Sequence, residues 1–295
     1  MTKRDLVAFL SGAGGFECPK GLTCRPADAV TAVFDTQTRG FLKRVNRKAV
    51  LGNMVRRQAV LEQLMACGTV LPVLPGTRLA PESTGIMGAA NAPLLARLVE
   101  ELAHQVQFQI KVYWPRDLAA ARFGWTGQIA AAQGAAKLAE QITGRLSEVT
   151  TDLIELPRAE EMLLNVAVLL PATDEARLDT TLEEIDAVWP DGFAIRQVGP
   201  SPAVSFGSIG LRSVEPDAVR SARRMLGISQ GADLANLAEA RRSALIAAGP
   251  EAREGLKAAA DILEAATRCG RDHFHHAFVW REGQSAQADD RLKVA

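Results

Sequence analysis

Residues Val106 to Trp114 alternate without a break. Val106, Phe108, Ile110, Val112 and Trp114 are apolar, and Gln107, Gln109, Lys111 and Tyr113 lie between them. A period of two belongs to a strand with one buried face, and that face requires a cover. A second segment bears on the fold in the same way. The apolar run Phe193 to Val198 meets Gly199-Pro-Ser-Pro202, a turn signal, and an apolar stretch resumes at Ala203. The spacing predicts strands over 193–198 and 203–211 joined as a hairpin about the Gly-Pro turn.

Around these segments the patterns alternate between the periods of strand and helix. Residues 5–11 and 29–35 read as strands, with a loop from Gly12 to Asp28 between them. A helix is expected over 47–66. Val50, Leu51, Met54, Val55, Leu61, Leu64 and Met65 recur at three and four, which predicts one buried stripe. A short strand over 69–74 follows, then a helix over 93–104 with Pro93 in its first turn, then the strand 106–114. A long helix is expected from 129 to about Leu153. Leu163 to Leu170 is apolar on both faces, as a central strand is. A helix over 174–188 and another opened by Pro216 complete the pattern. From Ser229 the chain is rich in Ala, Leu, Glu and Arg, and Gly249-Pro250 divides it into two helices. Asp272 to Trp280 reads as a last short strand, and the final dozen residues as loose.

The resulting fold class is α+β. An N-terminal α+β domain is expected over 1–123. A ferredoxin-like domain with a leading long helix is expected over 124–228, and a mainly helical tail over 229–295. The length of 295 residues allows two domains.

Composition narrows the function. Lys+Arg and Asp+Glu both number 34, so the basic surplus that nucleic-acid binding calls for is missing. Lys43, Arg44, Arg47, Lys48, Arg56 and Arg57 are the nearest thing to a basic stripe and read as the wet side of a helix. No apolar stretch reaches the length of a membrane span, and the short run Leu6 to Leu10 does not make a signal peptide; the expectation is a cytoplasmic protein. Cys18, Cys24, Cys67 and Cys269 fit no zinc spacing and read first as free thiols, with a local redox pair at Cys18–Cys24 as the alternative.

Chemistry at the side chains is thin. His273, His275 and His276 crowd together. His273 and His275 would share a strand face, but only Cys269 or Asp272 stands at metal spacing, so they read as a solvated cluster. His104 reads as a residue at a helix end. Gly12 to Gly15 follow a strand but open no helix, so the phosphate-cradle arrangement is absent. The acid pairs Glu100-Glu101, Glu160-Glu161 and Glu183-Glu184 read as solvated faces. Ser205 and Ser208 flank Phe206 and Gly207 without a nucleophile elbow. No catalytic residue, metal site or cofactor is expected, and the chain does not read as an enzyme.

Three segments resemble the gas vesicle accessory proteins of the F/L family. Leu71-Pro-Val-Leu-Pro-Gly-Thr77 is similar to the family's Leu-Pro-apolar-x-Phe-Gly-Thr segment. Ile110-Lys-Val-Tyr-Trp114 is similar to its Lys-Val-Tyr strand. Gly199-Pro-Ser-Pro-Ala-Val-Ser-Phe206 is similar to its Gly-Pro-Trp-Pro-Pro-Tyr-Ser-Phe segment. Their order and spacing agree over about residues 5–228. Carried over residue by residue, the motif positions are Pro72, Gly76, Thr77, Lys111, Tyr113, Gly199, Pro200, Pro202, Ser205 and Phe206, in structural or interface roles. Pro75 stands where the family has Phe, and Ser201 and Val204 replace Trp and Tyr. Aromatics dominate interface energies, so these departures imply an altered partner surface.

The resemblance implies a role in building gas vesicles, with the protein located at the vesicle or in the cytoplasm. The partners it implies are the major shell subunit and other gas vesicle accessory proteins, with neither nucleic acid nor membrane involved. The accessory protein would hold the apolar shell subunit soluble, cap its strand edges and assist its addition, and some members would remain as minor shell components. Two other readings stand beside it. One is a ligand-sensing regulatory α+β module; the other is a small-molecule transferase using the glycine-rich loop.

Overall fold

The computed structural model describes residues 2–12, 17–36 and 47–283, with side chains of the first helix described from Val50 onward. The chain divides into two compact units. Among the described residues, the first comprises those within 1–101 and 208–280, and the second comprises 102–207 and 281–283. This division differs from boundaries at 123 and 228, and the strand partners explain why.

The chain opens with β1 (Arg4–Ser11), β2 (Leu22–Ala27) and β3 (Val30–Asp35). β1 is buried from Asp5 to Leu10, as a strand covered on both faces is. β2 lies inside the segment expected to be a loop. It pairs antiparallel with β3 and is an outer strand, where Pro26 removes no inner-ladder donor. Helix α1 (Arg47–Met65) follows, then β4 (Val70–Pro72), β5 (Arg78–Leu79) and α2 (Thr84–Glu101). The sheet order is β2-β3-β1-β4, with β5 on β1. α2 starts nine residues before the expected helix and carries Pro93 inside it. A helical proline removes one i→i−4 hydrogen bond. The stripe Thr84, Met87, Gly88, Asn91, Leu95 and Leu98 is buried on either side of it.

The second unit begins with the alternating strand, β6 (Gln105–Tyr113). It continues through α3 (Arg116–Phe123), α4 (Gln128–Ser147), β7 (Asp152–Glu155), β8 (Met162–Pro171), α5 (Glu175–Asp186) and β9 (Ala194–Ser201). The sheet runs β7-β8-β6-β9 with every neighbouring pair antiparallel. The order strand, helix, strand, strand, helix, strand is complete only with residues 105–113, which lie outside the expected domain 124–228. The long helix ends at Ser147 rather than near Leu153, and Leu153 belongs to β7. β8 is central and buried from Leu163 to Leu170.

The chain then returns to the first unit with β10 (Ser208–Val214), α6 (Pro216–Leu226), α7 (Leu234–Ala247), α8 (Pro250–Cys269) and β11 (Phe274–Trp280). The expected hairpin between 193–198 and 203–211 does not form. β9 pairs with β6, whereas β10 pairs with β11 and bridges to Val73 beside β4. Residues 229–280 are therefore no appendage. Val219, Ala222 and Leu226 of α6 share one buried cluster with Leu256, Ile262 and Leu263 of α8 and with Phe274. The helix break at Gly249-Pro250 and the closing strand stand where the sequence places them.

The two outer strands of the first unit both meet α2. A Cβ on Gly88 would stand 2.4 Å from the backbone of Ala27 in β2, so only glycine permits that approach. One turn on, the Asn91 amide donates to His275 O and accepts from Ala277 N, both at 2.7 Å. The side chain thus completes backbone hydrogen bonds of β11, a way of closing an edge that would otherwise invite pairing.

Candidate functional site

In the second unit the longer outer strand is β9. Its inner side pairs with β6, with Val198 opposite Gln109, Arg196 opposite Lys111 and Ala194 opposite Tyr113. Among the described residues no strand pairs with its outer side. Ala194, Arg196, Val198, Gly199 and Pro200 are exposed, and Ile195 and Gln197 are half-buried. Val198 is 54% exposed, high for an aliphatic side chain on a strand. The Arg196 guanidinium stands over the Tyr113 ring at 5.2 Å. Two cations, Arg196 and Lys111, face each other across the pair. Like charge on an edge discourages pairing between identical edges.

The usable edge ends at Val198. Gly199 has φ +143, and a Cβ there would lie 2.8 Å from both Gln107 O and a ring carbon of Phe108. Pro200 has no N–H, and the register with β6 shifts here. The backbone offered to a partner is therefore Ala194 to Val198.

The motif beyond this point folds inward. Ser201 Oγ donates to Gln107 O at 3.2 Å. Ser205 N donates to Gln107 Oε1 at 2.9 Å, and Gln107 Nε2 donates to Ser205 Oγ at 3.3 Å. Pro202, Ser205 and Phe206 are buried. Arg281 lies over the Phe206 ring at 5.6 Å and pairs with Asp152 at 2.6 Å, and Glu282 N donates to Ser205 O. These residues position the end of β9. Lys111 and Tyr113 are half-exposed on the polar face of β6. The structure thus gathers Lys111, Tyr113, Gly199, Pro200, Pro202, Ser205 and Phe206 around β6 and β9. Pro72, Gly76 and Thr77 lie in the first unit instead. There Pro72 pairs with Ala8, Gly76 takes φ +83 at a turn, and Thr77 O accepts from Leu6 N.

The other candidates separate. His273 stands 3.5 Å from Glu215, and its ring is 6.5 Å from that of His275. Burial pushes the His275 and His276 imidazoles below their ordinary range. Among the described residues no group of three or more His, Cys, Asp or Glu side chains is placed to hold a metal. Cys18 and Cys24 are disulfide-bonded, the alternative rather than the first reading of the sequence; β2 brings Cys24 back toward the strand's own entry, with the Cα atoms 5.9 Å apart. Ala13, Gly14 and Gly15 of the glycine-rich segment lie outside the described residues, as do Lys43 and Arg44 and the final dozen residues.

Arg56 and Arg57 of α1 are engaged by the sheet rather than left to water, while the side chains of Arg47 and Lys48 lie outside those described. Arg56 pairs with Asp35 at 2.8 Å. Arg57 donates to the carbonyl oxygens of Val7 and Val73, and burial pushes its pKa down to about 10. Nearby Asp5 is buried, with Arg78 at 3.6 Å, and desolvation raises its carboxyl above the usual range. Sequence periodicity misses this network because charged residues usually mark the solvent face. No helix among the described residues is long and apolar enough to cross a membrane.

A family model described as "Gas vesicle synthesis protein GvpL/GvpF" matches residues 19–124 and 118–208, more than half of the chain. The crystal structure of the gas vesicle protein GvpF from Anabaena sp. PCC7120 aligns over 68% of this chain and 94% of that one, at 18% identity and a TM-score of 0.55. GvpF from Microcystis aeruginosa aligns over 69% and 98%, with the same identity and TM-score. At that identity the likeness bears on the fold. No curated protein matches the chain significantly. By its match over residues 19–208, the chain belongs to the gas vesicle synthesis protein GvpL/GvpF family.

Proposed function

We propose that this protein is a gas vesicle accessory factor that binds the small apolar shell subunit and assists its addition to the growing vesicle. The observation that carries this reading is the open backbone of β9 from Ala194 to Val198. A sheet edge accepts an added strand through main-chain hydrogen bonds, and neighbouring side chains set the specificity. Val198 supplies apolar contact, while Arg196 and Lys111 oppose pairing of two β9 edges. A strand of another chain is then the favoured guest. Holding an apolar strand in this way keeps it from pairing with its own kind.

Co-purification with the major shell subunit tests the reading. Val198→Asp places a carboxylate on the edge and is expected to reduce recovery at least tenfold while thermal stability is kept. Undiminished recovery would contradict it.

One observation favours a second reading, ligand sensing. A groove of about 350 Å3 in the first unit is lined by α2, α8 and β11, with Leu94, His276 and Phe278 among its walls. That size suits a small molecule. A metabolite that raises the melting temperature, and whose effect Leu94→Trp abolishes, would support it.

A further inference from the structure

The outward side of β11 is closed over only part of its length. Leu74 N donates to Ile209 O, so the backbone of Ile209 turns toward Leu74, beside β4, and away from β11. Ile209 and Val279 stand opposite each other in the antiparallel β10–β11 pair. In such a pair, opposed residues alternate between bonding each other and facing away. Val279 therefore turns its N–H and C=O away from β10, as do Ala277 and His275 before it. Asn91 meets the first part of this edge, where its carboxamide donates to His275 O and accepts from Ala277 N, both at 2.7 Å. A carboxamide has the donor and acceptor of a peptide group. Asn91 thus takes the place that one residue of an added strand would take. Beyond it, Ala277 O, Val279 N and Val279 O have no hydrogen-bond partner among the described residues.

This open stretch borders the groove of about 350 Å3 between α2 and α8. Ala277 and Val279 line it from β11, Pro93 and Leu94 from α2, and Ala265 from α8. The charged side chains along it are paired within the chain: Arg268 with Glu264 at 2.8 Å, Asp261 with Arg241 at 3.6 Å, and Arg97 with Glu101 at 3.7 Å. An ionic ligand would compete with one of these pairs. What the groove leaves unsatisfied is main-chain donor and acceptor capacity beside aliphatic surface, and an extended polypeptide answers both. The site is short. Asn91 occupies the edge as far as Ala277 N, and β11 ends at Trp280. About three extended residues, roughly 10 Å, span what is left, and the groove volume suits a guest of that size.

We propose that the groove between α2 and α8 receives a short extended segment of a partner protein, which pairs with Ala277 O, Val279 N and Val279 O and turns a small aliphatic side chain toward Leu94 and Ala265. The guest continues the strand that the Asn91 carboxamide begins. This site lies on β11 and stands whether or not the β9 edge takes the shell subunit. It also puts a peptide where ligand sensing would put a metabolite, and the guest's need for backbone N–H groups tells the two apart.

The test uses the full chain and a fluorescently labelled five-residue peptide of alternating Val and Thr with blocked ends. Its fully N-methylated analogue keeps the side chains and lacks the backbone donors. By fluorescence anisotropy, the peptide is expected to bind at least tenfold more tightly than the analogue, since main-chain hydrogen bonds supply the affinity in strand addition. Hydrogen exchange read by NMR is expected to slow at the Val279 amide and to stay unchanged over Ala194 to Val198. Val279→Pro removes an outward N–H, a change that edge strands tolerate, and Leu94→Trp fills the groove. Each is expected to cost at least tenfold in affinity with an unchanged circular dichroism spectrum. Val198→Asp is expected to bind the peptide like the wild type, which separates this site from the β9 edge. No peptide binding, equal binding of the N-methylated analogue, protection over Ala194 to Val198 in place of Val279, or undiminished binding by either groove variant would each overturn the proposal.

Discussion

Gln107 shows how a motif read as a candidate surface becomes a structural joint. Its amide accepts from Ser205 N, donates to Ser205 Oγ, and its own carbonyl accepts from Ser201. All three residues are buried. Gln107→Ala strands a buried N–H and is expected to destabilise the protein by about 1–3 kcal/mol, the range for leaving such a donor unpaired. Ser205→Ala removes only the hydroxyl and is expected to cost less. Chemical denaturation of both variants checks the ranking. Asp5 supplies the pH-dependent counterpart. Its carboxyl lies above the unfolded value of 3.8 because burial outweighs the pull of Arg78 and Arg57. The folded state therefore holds the proton more tightly than the unfolded state. Asp5 contributes most to stability below 3.8, and that contribution is lost as pH rises through the folded value. Asp5→Asn is accordingly expected to raise the melting temperature at neutral pH and to change it little in acid. The opposite pattern would mean that attraction to Arg57 and Arg78 outweighs the desolvation.

At the scale of elements, β11 depends on one side chain from α2. Asn91→Ala leaves His275 O and Ala277 N without the partners they have now. Faster hydrogen exchange over 274–280, with β6 and β8 unchanged, is the expected result. Exchange unchanged across β11 would show that pairing with β10 alone holds the strand. The same scale shows what the sequence makes legible. β6 and β8 are readable from pattern alone, because alternation and an all-apolar run each specify burial. The α7–α8 break is readable because Gly249 and Pro250 act locally. Partnerships between strands are not readable in this way. Phe193 to Val198 and Ala203 to Leu211 flank a turn signal, yet β9 and β10 join different sheets, since the pairing depends on β6 and β11 far off in sequence. Periodicity likewise finds the apolar residues of α1 but not that Leu51, Met54 and Val55 are exposed while Val60, Leu61 and Leu64 are buried. At the candidate edge, Lys111, Tyr113, Gly199 and Pro200 are legible as motif residues. Arg196 and Val198 lie just upstream of the turn signal and carry no mark of their own.

At the scale of the whole molecule, the first unit is built from both ends of the chain. Removing residues 229–295 takes α7, α8 and β11 away from a core that includes Val214, Val219, Ala222 and Leu226. Loss of cooperative unfolding and rapid proteolysis of 1–101 are expected from that truncation. A truncated chain that keeps the full melting temperature would contradict it. The central proposal concerns the other unit: that the backbone of β9 receives a strand of the shell subunit. Hydrogen exchange of the full protein, measured with and without the purified major shell subunit, tests it most directly. The account predicts new protection of amides within Ala194 to Val198 on binding. Binding without added protection there would contradict it.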